Sequence, residues 1–266
     1  MRPFEPNLHS LPEGSASASR LALAAKRLGY AGIIITNHTT TCGRPIGVEA
    51  ARRVGGIEVV IGAEIVASDQ RSLHSKAASL RERVDFLAVH GGDEKINRAA
   101  CEEPNVDLLA HPHQGRAGIG VAAAKAAQEN QVAIALDLSP MILLRGPARI
   151  RWMETVRRDL DLFGKFDIPL MITTGGRSHL DLRSPRELTA MAALLGLDRD
   201  RASEAFSLPG IDPRPQPEEV DVGGWGAGFE ALASRLPRPE EVTRLRREAG
   251  LGGTRVRHLV ADANRR

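Results

Sequence analysis

Six of the eight histidines, His9, His38, His90, His111, His113 and His179, stand at or just beyond the ends of short apolar runs, and two acids, Glu64 and Asp137, lie within such runs. Imidazole nitrogens and carboxylates gathered in one place are the donor set of a Zn, Mn or Fe site. One strand-end histidine would mean little, but the same position repeated after successive strands is a pattern. The same residues also suit a hydrogen-bonded plug that satisfies polar groups without metal or turnover. Residue types favour the plug. Two-metal hydrolysis needs several anionic ligands to hold and bridge the cations, yet Asn7 and Asn37 stand where carboxylates would help, and Arg177 puts a fixed cation near His179. The cluster of His9, His38, Glu64, His90, His111 and His179 is therefore read as vestigial, with no catalytic residue, metal or cofactor expected in this chain. His90 and His111 are assigned a structural role.

The elements that must carry these residues are legible as β-branched runs at 32–36 (GIIIT), 57–67 (IEVVIGAEIVA), 84–89 (VDFLAV), 106–110 (VDLLA), 132–138 (VAIALDL) and 168–173 (IPLMIT). Continuous apolar runs of this length read as strands buried on both faces, hence as a parallel sheet. Helical stretches fall between them at 16–28, 70–83, 121–130, 150–163 and 185–195; the last opens on Ser184 as N-cap, Pro185 at the first helical position and Glu187 three residues on. With a first strand at 4–8 there are seven strands in βα order, and only 205–208 could supply an eighth. The fold class expected is α/β, a TIM-like (β/α) barrel, whose strand ends converge on one face. A doubly wound sheet is the alternative, but 8–14 lacks the glycine fingerprint that such folds carry after their first strand. The one G-x-G-x-x-A match, at 226–231, follows a Pro/Gly stretch rather than a strand and is read as chance.

Composition excludes several classes. The chain has 266 residues, 42% hydrophobic and 26% charged, which supplies a full core and excludes a disordered or collagenous chain. No apolar run approaches a membrane helix, and the N-terminus lacks the regions of a signal peptide, so a cytoplasmic protein with no membrane partner is expected. Cys42 and Cys101 are too far apart in sequence for a metal pair and are given no function. Aromatics are 3%, which weakens any model of bases stacked on exposed rings. The formal net charge is only +3, but 244–266 holds seven arginines against two acids, leaving the other 243 residues slightly acidic. Residues 1–208 are read as the barrel, 209–236 as a Pro/Gly-rich linker and 237–266 as a basic helical extension.

The strand-end series reads Asn7-Leu8-His9-Ser10-Leu11, Thr36-Asn37-His38, Gly62-Ala63-Glu64, Ala110-His111-Pro112 and Gly176-Arg177-Ser178-His179. It resembles the PHP superfamily of barrel phosphoesterases, whose motifs are D-x-H-x-H, T-D-H, G-x-E, A-H-P and S-D-A-H, with Asn7, Asn37 and Arg177 replacing acids and Leu11 a histidine. The segments 89–98 (VHGGDEKINR), 104–112 (PNVDLLAHP) and 182–188 (LRSPREL) narrow this further. Together they resemble the archaeal ribonuclease P protein component 3 family, counterpart of the eukaryotic 30 kDa subunit, over residues 1–208. The resemblance implies a subunit of an endoribonuclease that removes the 5′ leader of precursor tRNA, in which ribonuclease P RNA and its Mg²⁺ perform the hydrolysis. It also implies that the protein pairs with protein component 2 and braces the RNA. A metal-dependent phosphoesterase using the strand-end cluster is the alternative, and a scaffold whose basic tail alone binds RNA is a third.

For RNA contact, arginine offers two-pronged hydrogen bonds to phosphate. Arg98 after strand four, Arg116 after His111, and Arg177 and Arg183 after strand seven are the candidates, with Arg44 after strand two; each has a surface ion pair as its plain alternative. Arg149, Arg151, Arg157 and Arg158 alternate with Glu154, Asp159 and Asp161 and read as a solvated helix face. The apolar run 141–144 reads as packing, with an exposed edge for a partner protein as the alternative.

Overall fold

The structure, a computed structural model, describes residues 2–39, 45, 47–114 and 118–207. The proposed linker and basic extension, with Arg44, Arg116 and Cys42, lie outside the described residues. Seven strands alternate with helices: β1 (Phe4–Leu8), β2 (Gly32–Ile35), β3 (Glu58–Ile65), β4 (Phe86–His90), β5 (Leu108–Ala110), β6 (Ala133–Asp137) and β7 (Leu170–Thr173). Each pairs in parallel with the next, in the order β1 to β7. The helices are α1 (Ala18–Arg27), α2 (Val48–Arg52), α3 (Gln70–Arg81), α4 (Glu94–Cys101), α5 (Val121–Asn130), α6 (Ser139–Leu143), α7 (Gly146–Phe166), α8 (Pro185–Leu194) and α9 (Arg199–Glu204). Among these, none is long and apolar enough to cross a membrane.

Strand alternation divides the apolar side chains into two cores. Phe4, Ile34, Val60, Phe86, Ala88, Leu108, Ala110, Ala133, Ala135 and Met171 point inward and fill the barrel. Their neighbours, such as Ile33, Ile35, Leu87, Val89, Leu109 and Ile134, point outward and meet the helices. Two-sided burial is why these strands read as unbroken apolar runs. Alanine in β4 to β6 makes room for Phe4 and Phe86. Gly32 serves the same end, since a Cβ there would stand 2.0 Å from the Phe4 ring.

Of the candidate eighth strand at 205–208, the described residues 205–207 form no strand. Ala205 caps α9, and from there the carbonyls of Ala205 and Phe206 accept from Ile172 N (3.0 Å) and Phe4 N (2.9 Å). Helix-terminal carbonyls have no partner within their helix, which leaves Ala205 O available to β7. At the other end of the seam, His9 N donates to Gly176 O at 2.9 Å and a parallel bridge joins Leu8 and Gly176. Between the two, the buried Glu5 carboxylate fills the gap between β1 and β7: it accepts from the Thr173 and Thr174 hydroxyls, Thr174 N and the Tyr30 hydroxyl. Burial raises the Glu5 carboxyl to about 7, against the opposing pull of these hydrogen bonds.

Local signals fix most helix starts. Ser184 and Glu187 form the expected capping box on α8. Asp93 caps α4, a helix not expected from the sequence, accepting from Lys95 N and Ile96 N. Helix α7 begins at Gly146 with Pro147 in its first turn, four residues before the expected start. Its polar face is not wholly solvated: Asp159 is 1% exposed and accepts from Ile119 N (2.7 Å) and His113 Nε2 (3.2 Å), because α7 packs over the loop after β5. In 141–144, Met141 and Leu144 pack on the core as expected, whereas Leu143 is 74% exposed. Cys101 is buried, and burial pushes its thiol up to about 12, in keeping with an inert residue.

Candidate functional site

The C-terminal ends of β1 to β6 meet at one rim, and there the polar residues converge. His9 follows β1, His38 follows β2, Glu64 lies on β3, His90 ends β4, His111 follows β5 and Asp137 ends β6. A bulge between Glu5 and Leu8 turns Asn7 inward, where its Nδ2 donates to Glu64 Oε2 (2.7 Å) and Thr36 Oγ1 (3.0 Å). His111 takes a left-handed backbone conformation (φ 50°) before Pro112.

Glu64 is the hub. Its Oε1 lies 2.5 Å from His90 Nδ1, 3.1 Å from His38 Nε2 and 3.9 Å from His111 Nε2, and its Oε2 lies 3.6 Å from His9 Nε2. His38 Nε2 and His90 Nδ1 face each other at 3.0 Å. The outward nitrogens have acceptors of their own: His38 Nδ1 donates to Glu13 Oε1 (2.5 Å), His90 Nε2 to Gln114 Oε1 (2.6 Å) and His111 Nδ1 to Asp137 Oδ2 (3.0 Å). The His9 and His38 rings stack 4.9 Å apart.

Glu13 and Gln114 were not among the sequence candidates. Glu13 sits in the turn after β1, which folds back over His9 because Gly14 permits it: a Cβ at Gly14 would lie 2.0 Å from His9 O and 2.6 Å from Arg177 O. Its carboxylate accepts from His38 N (2.7 Å) and from the Arg177 guanidinium (2.8 Å). Nothing in the spacing of the Pro-Glu-Gly run at 12–14 told where the carboxylate would point. Asn37, in an acid's place, instead pairs with the backbone of Ser10, accepting from its N–H (2.8 Å) and donating to its carbonyl (2.9 Å).

The electrostatics follow from this packing. Burial alone would raise the Glu64 carboxyl, but hydrogen bonds from His38 and His90, with His111 and His9 nearby, hold it well below the ordinary carboxylate range. Burial opposes ionisation of Glu13 as well; His9 and the His38 backbone N–H outweigh it and bring the group to about 2. Burial lowers His38 and His111, and the carboxylates around them more than reverse this, so both are raised.

The structure brings five of the six cluster residues together. Among the described residues, three donor sets have ligand atoms within 4.8 Å of one another: His9, Glu64 and His111; His9, Glu13 and His38; His38, Glu64 and His90. His179 is in none of them; it lies in the turn after β7, and its Nδ1 is buried without a hydrogen-bond partner. His113 points instead to Asp159. Of the arginine candidates, Arg177 reaches the mouth with its side chain 57% exposed. Arg98 is not a loop residue; it stands in α4 and its Nε donates to Glu102 at 2.7 Å, an i,i+4 ion pair on the helix surface. Arg183 braces its own loop, its NH1 donating to the carbonyls of Leu180, Asp181 and Leu182.

Residues 3–210 match the family described as RNase P subunit p30. Ribonuclease P protein component 3 of Methanococcoides burtonii is 41% identical over 205 residues, covering 77% of this chain and 83% of that protein. The protein of the same name from Methanosarcina barkeri is 40% identical over 202 residues, covering 76% and 84%. Among solved structures, a chain of archaeal ribonuclease P with mature tRNA matches with a TM-score of 0.65 at 26% identity, covering 76% of this chain and 86% of that one. Histidinol phosphate phosphatase of Lactococcus lactis, solved with zinc, L-histidinol and phosphate, matches with a TM-score of 0.50 at 15% identity, covering 76% and 94%, a likeness of fold alone.

Proposed function

This chain belongs to the RNase P subunit p30 family and is a protein subunit of ribonuclease P, and from that premise we propose that its barrel binds and braces the catalytic RNA during removal of the 5′ leader from precursor tRNA. The match along residues 3–210 is the observation that carries this reading. Ribonuclease P RNA and its Mg²⁺ ions supply the hydrolysis, ribonuclease P RNA and precursor tRNA are the nucleic-acid partners, and protein component 2 is the protein partner. The place of work is the cytoplasm.

The chemistry of the barrel mouth supports a bracing role over a hydrolytic one. A phosphoesterase needs carboxylates free to bridge two cations; here Asn7 holds one oxygen of Glu64, Asn37 holds backbone, and Glu13 is engaged by His38 and Arg177. Affinity for RNA then has to come from cations acting together through counterion release. Arg177 is the strongest candidate, because one hydrogen bond to Glu13 leaves most of its guanidinium donors free at the rim. Arg183 retains donors beyond those bracing its loop. Arg98, already paired with Glu102, is the weakest of the described three, and Arg44 and Arg116 complete the proposed set. Residues 209–236 serve as linker and 237–266 as a basic extension that adds nonspecific RNA affinity.

The test is reconstitution of precursor-tRNA cleavage from the RNA and its protein subunits with and without this chain. The rate at limiting Mg²⁺ is expected to fall when the chain is omitted; an unchanged rate and Mg²⁺ requirement would overturn the proposal.

A further inference from the structure

Helix α6 and the first turns of α7 present an apolar face that the described residues leave uncovered. The sequence of α6 is Ser-Pro-Met-Ile-Leu, yet none of its five residues is buried. Of the eight large apolar side chains exposed among the described residues, three fall within nine positions here: Ile142 (38%), Leu143 (74%) and Ile150 (56%). Beside them runs a groove of about 900 Å³, walled by Pro140, Leu143, Leu144, Ala148 and Trp152. Arg149 Nε donates to Leu144 O at 2.7 Å and fixes the α6–α7 junction, so the groove is preformed. An exposed apolar patch with a polar rim marks an interaction surface.

The rim decides the partner. Residues 139–158 hold five arginines against one acid, Glu154, and the next acid, Asp159, is buried and already accepts from Ile119 N and His113 Nε2. Arg151 and Arg158 line the groove itself. Arg145 and Arg151 are exposed and form no ion pair among the described residues, and Arg158, with its side chain 68% exposed, pairs with its neighbour Asp159. A second copy of the chain would bring these arginines against themselves, because a two-fold interface joins the same patch on both subunits. RNA would satisfy the cations but leave Ile142, Leu143 and Ile150 without partners, since bases are held by rings, guanidinium planes and hydrogen bonds. An acidic protein surface satisfies both.

We propose that the α6–α7 face docks an acidic amphipathic helix of another protein chain, with an apolar side chain seated in the groove and carboxylates against Arg145, Arg151 and Arg158. A helix laid into a preformed groove buries an i, i+3, i+4, i+7 apolar stripe, which suits walls made of leucine, proline and tryptophan. Ile142, Leu143 and Ile150 extend the contact beyond the groove, and the arginine rim steers the approach of an acidic partner and rejects a basic one. This rests on the ribonuclease P reading, which places other protein subunits beside the chain.

A photoreactive benzophenone side chain would be placed separately at Leu143 and at Ile150, both exposed, with the fold checked by circular dichroism. The full-length chain would then be assembled with ribonuclease P RNA and the other protein subunits and irradiated, and the crosslinked segment read by mass spectrometry. Both positions are expected to capture one protein subunit, on a helix whose apolar stripe is flanked by acids. Arg151→Glu, an exposed change, is expected to cut the crosslink by about 10-fold, and Arg151→Lys to retain it. Capture of RNA, of a second copy or of a segment without acids, no crosslink from either position, or a crosslink unmoved by Arg151→Glu would each overturn the proposal. Leader removal by the same assembly separates the two readings. Cleavage aided by the chain without such a crosslink overturns the docking surface alone, whereas cleavage indifferent to the chain overturns the ribonuclease P reading and the docking surface with it.

Discussion

Replacing Glu5 by glutamine should stabilise the protein at alkaline pH, although the carboxylate it removes accepts hydrogen bonds from three hydroxyls and a backbone N–H. The carboxyl is fully buried in the β1–β7 seam and raised from 4.5 to about 7. Below pH 4.5 it is protonated in both folded and unfolded chains. Between pH 4.5 and about 7 the unfolded chain releases the proton while the folded chain keeps it, so stability falls as pH rises; above 7 the loss is complete. At about 1.4 kcal/mol per pH unit the loss is about 3 kcal/mol, or about 6–12 °C in Tm for a domain of this size. Glu5→Gln has no charge to bury and should escape it, at a cost of about 1 kcal/mol for an imperfectly replaced hydrogen bond. His38 and His111 are also raised, and their contribution is likewise lost with rising pH, but it is common to both proteins and cancels in the difference. Urea unfolding of chelator-treated wild type and variant, followed by circular dichroism from pH 4.5 to 8.5, gives that difference directly. It should rise in the variant's favour across the window. A flat difference, or a variant less stable at pH 8.5, would refute the reasoning.

Three further outcomes follow from the same structure. Asn97 is buried, accepts from Gly92 N at 2.9 Å and donates to the carbonyls of Pro112 and Gly118, so Asn97→Ala should destabilise by about 2–4 kcal/mol in urea unfolding and loosen both loops to hydrogen exchange. Gly14→Ala drives a methyl into the carbonyl oxygens of His9 and Arg177, and a loss of about 1–3 kcal/mol is expected from thermal unfolding; a neutral result would mean the turn is not packed as described. Arg177→Ala should lower affinity for ribonuclease P RNA and reduce the log–log salt dependence of binding by about one contact, whereas Arg98→Ala, which breaks only a surface ion pair, should do less.

Much of the architecture could be read from the residues because a barrel strand is buried on both sides, which leaves runs such as 32–36 and 132–138 apolar until Thr36 and Asp137 near their C-terminal ends. The convergence of His9, His38, Glu64, His90 and His111 was legible for the same reason: parallel strands place all their C-terminal ends on one rim. What stayed hidden depended on loops and on packing between elements. Glu13 reaches the cluster only because the turn at Gly14 folds back on His9, and Gln114 only because the loop after β5 returns to β4. His179 has the right position in sequence, yet the turn after β7 keeps it out of the donor sets. Asp159 sits among arginines and reads as solvated, but α7 buries it against Ile119 and His113. Helix α4 was missed because its eight residues carry few strongly apolar side chains, and that concealed the pairing of Arg98 with Glu102.

The central claim is that this barrel works within ribonuclease P, and it is tested most directly by cleavage of a precursor tRNA carrying a 5′ leader. The RNA subunit and its other protein subunits would be assembled with and without the chain, across a range of Mg²⁺ concentrations. Leader removal at low Mg²⁺ should be faster with the chain present, and the chain alone should release no leader. Equal rates at every Mg²⁺ concentration, or leader release by the chain without RNA, would contradict the account.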